Sequence, residues 1–355
     1  MPETIQKRIQ SFVELGNQIQ NILNKRTDAL SPVCRTLQLD IKNAENKNIW
    51  FTRDNILYAL QGIAHMLEKK TLEQWLSAYP LQNNQPESPK TVSVVMAGNL
   101  PFVGFHDFMC VLLSGNVFLG KLSSQDTILP VKLAELLIEI EPAWKSHIRF
   151  TEERISGFDA VIATGSNNSA RYFEYYFGKY PHIIRKNRSS VAILSGNESD
   201  SELRLLADDI FLYFGKGCRN VSKILVPRNY NFPNLLQNFE HWEFINQHNK
   251  YCNNYEYHKA IYLVNQDKHL DNGFLLLKED TGLSSPLSVL YYQYYDSWDG
   301  VERFIAHNKE SIQCIVSNMY SNKTEFSIVP FGKTQTPEPT DYADGVDVMN
   351  FLINL

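Results

Sequence analysis

The sequence predicts an α/β chain of two doubly wound domains behind an N-terminal helical extension, and three observations lead there. From Thr91 onward, short β-branched runs alternate with helical stretches. Those runs are almost wholly apolar, as strands are when a parallel sheet is covered on both faces. Residues 1–90 instead repeat their apolar residues at three- and four-residue steps, the period of an amphipathic helix.

In chain order, Ile5, Ile9, Phe12, Leu15, Ile19, Ile22 and Leu23 mark a first helix over residues 3–24. A second begins near Thr52 with Ile56, Leu57, Leu60, Ile63 and Leu67 on one face, and a third at Thr71, where Gln74 completes a capping-box pattern. The polar, proline-bearing stretch Leu81 to Lys90 reads as a loop. Strands are expected at Val92 to Met96, Val117 to Leu119, Ala160 to Ala163 and Val191 to Leu194, with helices near 102–114, 130–140, 167–177 and 200–214. Further strands are expected at Lys223 to Val226, Ile261 to Val264, Phe274 to Leu277, Ser288 to Tyr292 and Cys314 to Val316, with helices at 232–242 and 299–307. The expected division is a helical segment 1–90, a nucleotide-binding domain 91–205, a catalytic domain 206–333 and a tail 334–355. The tail ends in an apolar segment that needs cover, for which a partner subunit is one candidate.

A chain of 355 residues, 43 % of them hydrophobic, can build two packed domains. Its 34 basic and 39 acidic residues leave a net charge of −5, with no basic footprint for nucleic acid. The first residues carry no apolar leader, and no stretch approaches the roughly 18 apolar residues of a membrane span. A cytoplasmic protein is expected. The five cysteines are scattered and none forms a C-x-x-C pair, which predicts reduced thiols and no metal site.

One of these thiols stands apart. Cys218 lies in FLYFGKGCRNVSKILVP, between a helical run and a β-branched strand and beside Lys216 and Arg219. Nearby cations and converging N–H groups favour the nucleophilic thiolate. Three loops at strand ends accompany it. Ala97-Gly98-Asn99-Leu100-Pro101 could supply an oxyanion donor through Asn99. Lys121, Ser123 and Ser124 could receive the ribose or phosphate of a nucleotide. Thr164-Gly165-Ser166, followed by a helix, would let backbone approach a pyrophosphate. Taken singly, each is an ordinary connector. His106 and Asp107 are adjacent on a helix, do not face one another, and read as structural. Tyr172, Tyr175, Tyr176 and Phe177, at helical spacing, read as packing.

The order AGNLP, GNVFLGKLSS, ATGS, PHIIRKNRSSVAIL and FGKGCRNVSKILVP resembles the aldehyde dehydrogenase superfamily, with its W-N-x-P loop, G-N-x-x-x-x-K-P-S-E strand end, F-T-G-S loop, E-L-G-G segment and G-Q-x-C nucleophile loop. KEDTGLSSPLSVL resembles the superfamily's ribose-contacting E-x-x-G-P-x-x-x-V, with an insertion before Pro286, and Pro330-Phe331-Gly332-Lys333 resembles P-F-G-G-x-K. The resemblance implies that Cys218 is the nucleophile and Asn99 an oxyanion donor. It further implies that Lys121, Ser123, Ser124, Thr164, Gly165, Ser166 and Glu279 contact a nicotinamide cofactor.

The departures narrow the expectation. Arg185 stands where the superfamily has its glutamate general base, and without a carboxylate nothing obvious activates water against a thioester. The chain is most similar to acyl-CoA reductases related to the fatty-acid reductase of bacterial luminescence. Such an enzyme takes an acyl-CoA or acyl-carrier thioester, forms an acyl-cysteine and reduces it to an aldehyde. Ser124 replaces the acid that would repel a 2′-phosphate, so NADPH is expected, with NADH as the alternative. A homo-oligomer or a partner enzyme stays open. Two other readings remain: a cysteine acyltransferase or thioesterase without hydride transfer, and a non-enzymatic scaffold that binds through the helical extension and tail.

Overall fold

The computed structural model describes residues 4–24, 32–81, 88–318 and 328–355, and the expected loop residues 82–87 lie outside them. The chain forms two compact units, residues 1–186 with 337–355, and residues 187–336. The division falls at 186/187, upstream of the 205/206 boundary expected from sequence, because the strand that begins at Ser189 pairs with the strand after Cys218.

The first unit opens with α1 (Ile5–Leu23), α2 (Pro32–Lys47), α3 (Arg53–Met66) and α4 (Lys69–Leu76). Thr4 and Thr52 cap α1 and α3, their hydroxyls accepting from Lys7 N at 3.2 Å and Asn55 N at 3.3 Å. Helix α4 begins at Lys69, not Thr71, and its capping position, Glu68, makes no side-chain cap bond. There follow β1 (Thr91–Val95), α5 (Phe105–Leu113), β2 (Val117–Lys121), α6 (Leu129–Ile140), β3 (Ile148–Thr151), β4 (Ala160–Thr164), α7 (Asn167–Phe177) and β5 (His182–Arg185). The strands form an all-parallel sheet in the order β3-β2-β1-β4-β5. The order reverses between β1 and β4, which leaves a crevice beyond their carboxyl ends.

The second unit contains β6 (Ser189–Ile193), α8 (Asp200–Phe211), β7 (Val221–Pro227), α9 (Phe232–Phe239), α10 (Asn249–Asn265), β8 (His269–Asp271), β9 (Leu276–Glu279), β10 (Val289–Tyr295), α11 (Trp298–His307), β11 (Ile312–Val316) and β12 (Ile328–Val329). Its sheet runs β12-β11-β6-β7-β10-β9-β8, parallel except for the β8 edge. Ile261 to Val264, expected as a strand, is the last turn of α10. That helix buries Tyr251, Tyr255 and Tyr262, and this packing overrides the local β-branched preference.

The tail returns to the first unit as α12 (Val348–Ile353), whose Val348, Met349 and Leu352 join the core of the extension and first sheet. Tyr342 Oη accepts from Trp75 Nε1 at 2.7 Å and lies 2.6 Å from Tyr79 Oη, which donates to Asp347 at 2.9 Å. The apolar tail thus packs Val348, Met349 and Leu352 into the core of its own chain. The tyrosines of α7 also depart from expectation. Tyr172, Tyr175 and Tyr176 are 59 %, 82 % and 53 % exposed, because the face that packs on the sheet is that of Ala170. No helix among the described residues is long and apolar enough to cross a membrane.

Candidate active site

The loop that carries Cys218 is built from an interrupted helix. α8 starts with a full capping box, Ser199 with Glu202, and ends at Phe211. The chain then turns through Tyr213, Phe214 and Gly215 at φ of 54°, 60° and 71°. Left-handed backbone costs a residue with a Cβ about 1–2 kcal/mol, so two such residues in succession need support. Part of it is packing, since Tyr213 is buried and the Phe214 ring lies 4.2 Å from that of His248. The rest comes from Asn220. Its Nδ2 donates to the carbonyls of Asp209 at 3.1 Å and Leu212 at 2.9 Å, and its Oδ1 accepts from Gly217 N at 2.8 Å. One buried amide therefore closes the end of α8 and fixes the residue before Cys218.

On the other side, Ser190 Oγ, from fully buried β6, donates to the Cys218 carbonyl at 2.9 Å and lies 3.0 Å from Cys314 Sγ. The backbone at Cys218 is held while its side chain is exposed. Cys110 and Cys314 are buried and Cys252 is half-buried, and burial pushes the Cys110 thiol well up. Among the described cysteines, Cys218 is the exposed one; the side chain of Cys34 is not described. Lys216 is half-buried, and burial, with the Lys250 charge second, lowers its ammonium pKa.

In the first unit, the sheet brings seven of the sequence candidates to one edge. β1 ends beside β2 and β4 in the register Val95 with Lys121 and with Ala163, so Asn99, Lys121, Ser123, Ser124, Thr164, Gly165 and Ser166 all lie at or just beyond the carboxyl ends of neighbouring strands. Gly98 is needed there, since a Cβ would come within 2.8 Å of Gln125 Cβ and overlap the Ser123 hydroxyl. Asn99 and Ser124 are exposed. Lys121 Nζ donates to the carbonyls of Glu152 at 2.8 Å and Leu122 at 3.3 Å. Ser166 caps α7, accepting from Ser169 N at 3.1 Å. Gly165 has a packing reason, because a Cβ would lie 2.8 Å from both Phe173 Cε2 and Ser169 Cβ. Hydroxyls, a lysine and the start of α7 at the strand reversal are groups that could hold the sugar and phosphates of a dinucleotide. Glu279, the last residue of β9, lies in the second unit and is exposed.

Sequence reasoning missed the residue that holds the Asn99 loop. Asp126 is buried, and its Oδ2 accepts from the N–H of Phe102, itself at φ 60°. Burial pushes this carboxyl up to about 6, against backbone hydrogen bonds from Phe102 and Leu129 that pull it down. A carboxyl in an unfolded chain titrates near 3.9, so the folded chain holds the proton more tightly. That stabilisation is complete below about pH 4 and is lost as pH rises toward neutrality. Asp126→Asn keeps an acceptor for Phe102 and removes the titration. Its urea midpoints from pH 4 to 7 should fall less with rising pH than those of the parent, and identical slopes would refute the assignment.

Arg185, which the sequence resemblance sets where a base is expected, forms a buried fork with Asp107, Nη1 to Oδ2 at 2.7 Å and Nη2 to Oδ1 at 2.9 Å. Burial pushes the guanidinium down, but the Asp107 charge and hydrogen bonds outweigh it and hold the pKa above its ordinary value. Asp107 is thereby explained as structural. So is His106, whose Nε2 lies 2.9 Å from the Pro339 carbonyl and whose pKa is lowered by burial.

Solved structures similar to this chain are aldehyde dehydrogenase folds. An NADP-dependent glyceraldehyde-3-phosphate dehydrogenase from Bacillus halodurans, complexed with NADP, is 13 % identical at a TM-score of 0.61, over 91 % of this chain and 75 % of that one. A putative aldehyde dehydrogenase from Burkholderia cenocepacia is 12 % identical at 0.60, over 90 % and 80 %. One from Mycobacterium tuberculosis, complexed with NAD+, is 14 % identical at 0.56, over 82 % and 70 %. At these identities the likeness is one of fold. No curated protein matches the chain. The sequence model of the acyl-CoA reductase (LuxC) family matches residues 6–241, about two thirds of the chain. On an aldehyde dehydrogenase fold, the chain belongs to the LuxC family of acyl-CoA reductases.

Proposed function

We propose that the chain is a nicotinamide-dependent acyl thioester reductase that works through an acyl-Cys218 intermediate. The Cys218 thiolate attacks the thioester carbonyl, the thiol of coenzyme A or of a carrier leaves and takes up a proton, and the acyl group stays on sulfur. The sequence pattern supplies two donors for each oxyanion, the Asn99 amide and the Cys218 N–H. Lys121, Ser123, Ser124, Thr164, Gly165, Ser166 and Glu279 would hold a nicotinamide cofactor, which when bound would supply hydride for the acyl carbon. Collapse of the thiohemiacetal then returns the thiolate and releases an aldehyde. With hydroxyls at Ser123 and Ser124 and no acid in the strand-end motif, the reading favours NADPH.

The observation that carries the proposal is the Arg185–Asp107 pair. A guanidinium at the base position, with both Nη atoms bound to Asp107, is no base toward water, so the acyl group on Cys218 is left for hydride or a second thiol. Mixing enzyme with a long-chain acyl-CoA and no nicotinamide should release one equivalent of coenzyme A thiol and add the acyl mass to Cys218. NADPH should then discharge it as aldehyde. An adduct that forms but never consumes NADPH or NADH would assign an acyltransferase or thioesterase instead.

A further inference from the structure

Lys223 is the one lysine in the core of the second unit's described residues, and neither the nucleophile loop nor the cofactor crevice accounts for it. It sits on β7, five positions after Cys218, with no exposed surface. Its Nζ donates to the carbonyls of Asp280 at 2.6 Å and Gly282 at 3.0 Å, and lies 5.4 Å from the centre of the Phe304 ring. The preceding residue reaches the same segment, since Ser222 Oγ donates to the Leu283 carbonyl at 2.9 Å. Three carbonyls in a run of four residues are thus held by two neighbouring side chains of one strand. A neutral hydrophobe at 223 would pack as well against the surrounding core but would leave two of those carbonyls without their donor.

The held segment begins directly after Glu279, and Asp280 closes it locally by accepting from Gly282 N at 2.8 Å. The residues that follow it, Ser285 to Val289, border the nucleophile turn. A cavity of about 30 Å³ is lined by Phe214, Gly215 and Val221 on one side and by Ser285, Pro286 and Ser288 on the other. Ser285 donates to the Val289 carbonyl at 2.6 Å and Ser288, at φ 66°, to that of Tyr251 at 3.3 Å, so both ends of the segment are pinned. Burial lowers the Lys223 ammonium pKa to about 8, with Asp280 pulling the other way, which keeps it mostly charged near neutrality.

We infer that Lys223 and Ser222 are positioning residues for the nicotinamide half of the reaction: they fix the segment after Glu279 to the strand that leaves Cys218. This rests on the proposed role of Glu279 as a cofactor contact. Neither residue touches the thioester, so the two half-reactions should separate. In Lys223→Met, release of coenzyme A and acylation of Cys218 without nicotinamide should stay within about twofold of the parent. The NADPH dissociation constant, read by nucleotide fluorescence, and the KM for NADPH should each rise at least about fivefold. Lys223→Arg, which keeps a cationic donor, should recover part of that affinity. Glu279→Gln should raise the same constants, and Lys223→Met combined with it should add little more, because both act through one contact.

Unchanged NADPH affinity in Lys223→Met, or acylation falling in proportion with affinity, would overturn the inference and leave a purely structural lysine. If Lys223→Met does not fold, Ser222→Ala decides: it should weaken NADPH two- to threefold with acylation intact, and no change refutes the idea. A parent enzyme that binds NADPH but never acylates Cys218 would sink the proposed function, yet the affinity measurements would still judge Lys223.

Discussion

Cys218→Ala should lower acyl-CoA reduction by at least about a thousandfold, the scale on which loss of a covalent nucleophile is felt. The variant should still fold. The supports of the loop are the Asn220 amide, the Ser190 hydroxyl and the packing of Tyr213, none of which uses the thiol. Thermal unfolding within a degree or two of the parent, with no coenzyme A burst and no acyl adduct, is the expected pattern. Cys314→Ala makes the control. It removes a buried thiol 3.0 Å from Ser190 and should leave the burst amplitude unchanged. Parent-like turnover in Cys218→Ala would end the proposed mechanism.

The second large effect concerns the base position. Restoring the superfamily's acid with Arg185→Glu should not create an aldehyde-oxidising enzyme; it should unfold the first unit. The new carboxyl would be buried against Asp107, which today accepts both arms of the guanidinium. Breaking a buried pair by removing one partner costs about 3–5 kcal/mol, and a second anion adds repulsion. Arg185→Met should cost about that range, and Asp107→Asn combined with Arg185→Met should recover a good part of it. Urea unfolding of the four proteins in a double-mutant cycle measures the coupling. A stable Arg185→Glu protein that hydrolyses acyl-CoA would refute both the structural role of the pair and the account of the lost base.

How much of this was legible in the sequence depended on the range of the forces involved. The strands Thr91–Val95, Ala160–Thr164 and Ser189–Ile193 were readable because strands buried on both faces are dominated by small and apolar residues and lack polar alternation. The helix 167–177 was readable because its cap, Ser166, is local. The start of α4 was misplaced by two residues because a helix can begin without a side-chain cap when its apolar face is already buried. Ile261 to Val264 read as a strand because four residues show β preference but not the tyrosines, up to ten positions away, that bury one face of the helix.

By itself the sequence determined the alternation of strand and helix, the basic loop around Cys218, the row of strand-end loops and an arginine where the resemblance expects the base. Local periodicity and residue chemistry are enough for those. The tertiary structure decided which of these residues are tied down and by whom. Asp107 holds Arg185 across 78 positions, Asp126 holds Phe102, Asn220 closes α8, Lys223 reaches Asp280 and Gly282, and Val348, Met349 and Leu352 fold back on the first unit's core. Each of these needs a partner brought close by chain folding, and a buried polar group's role is set by that partner, which no local pattern contains.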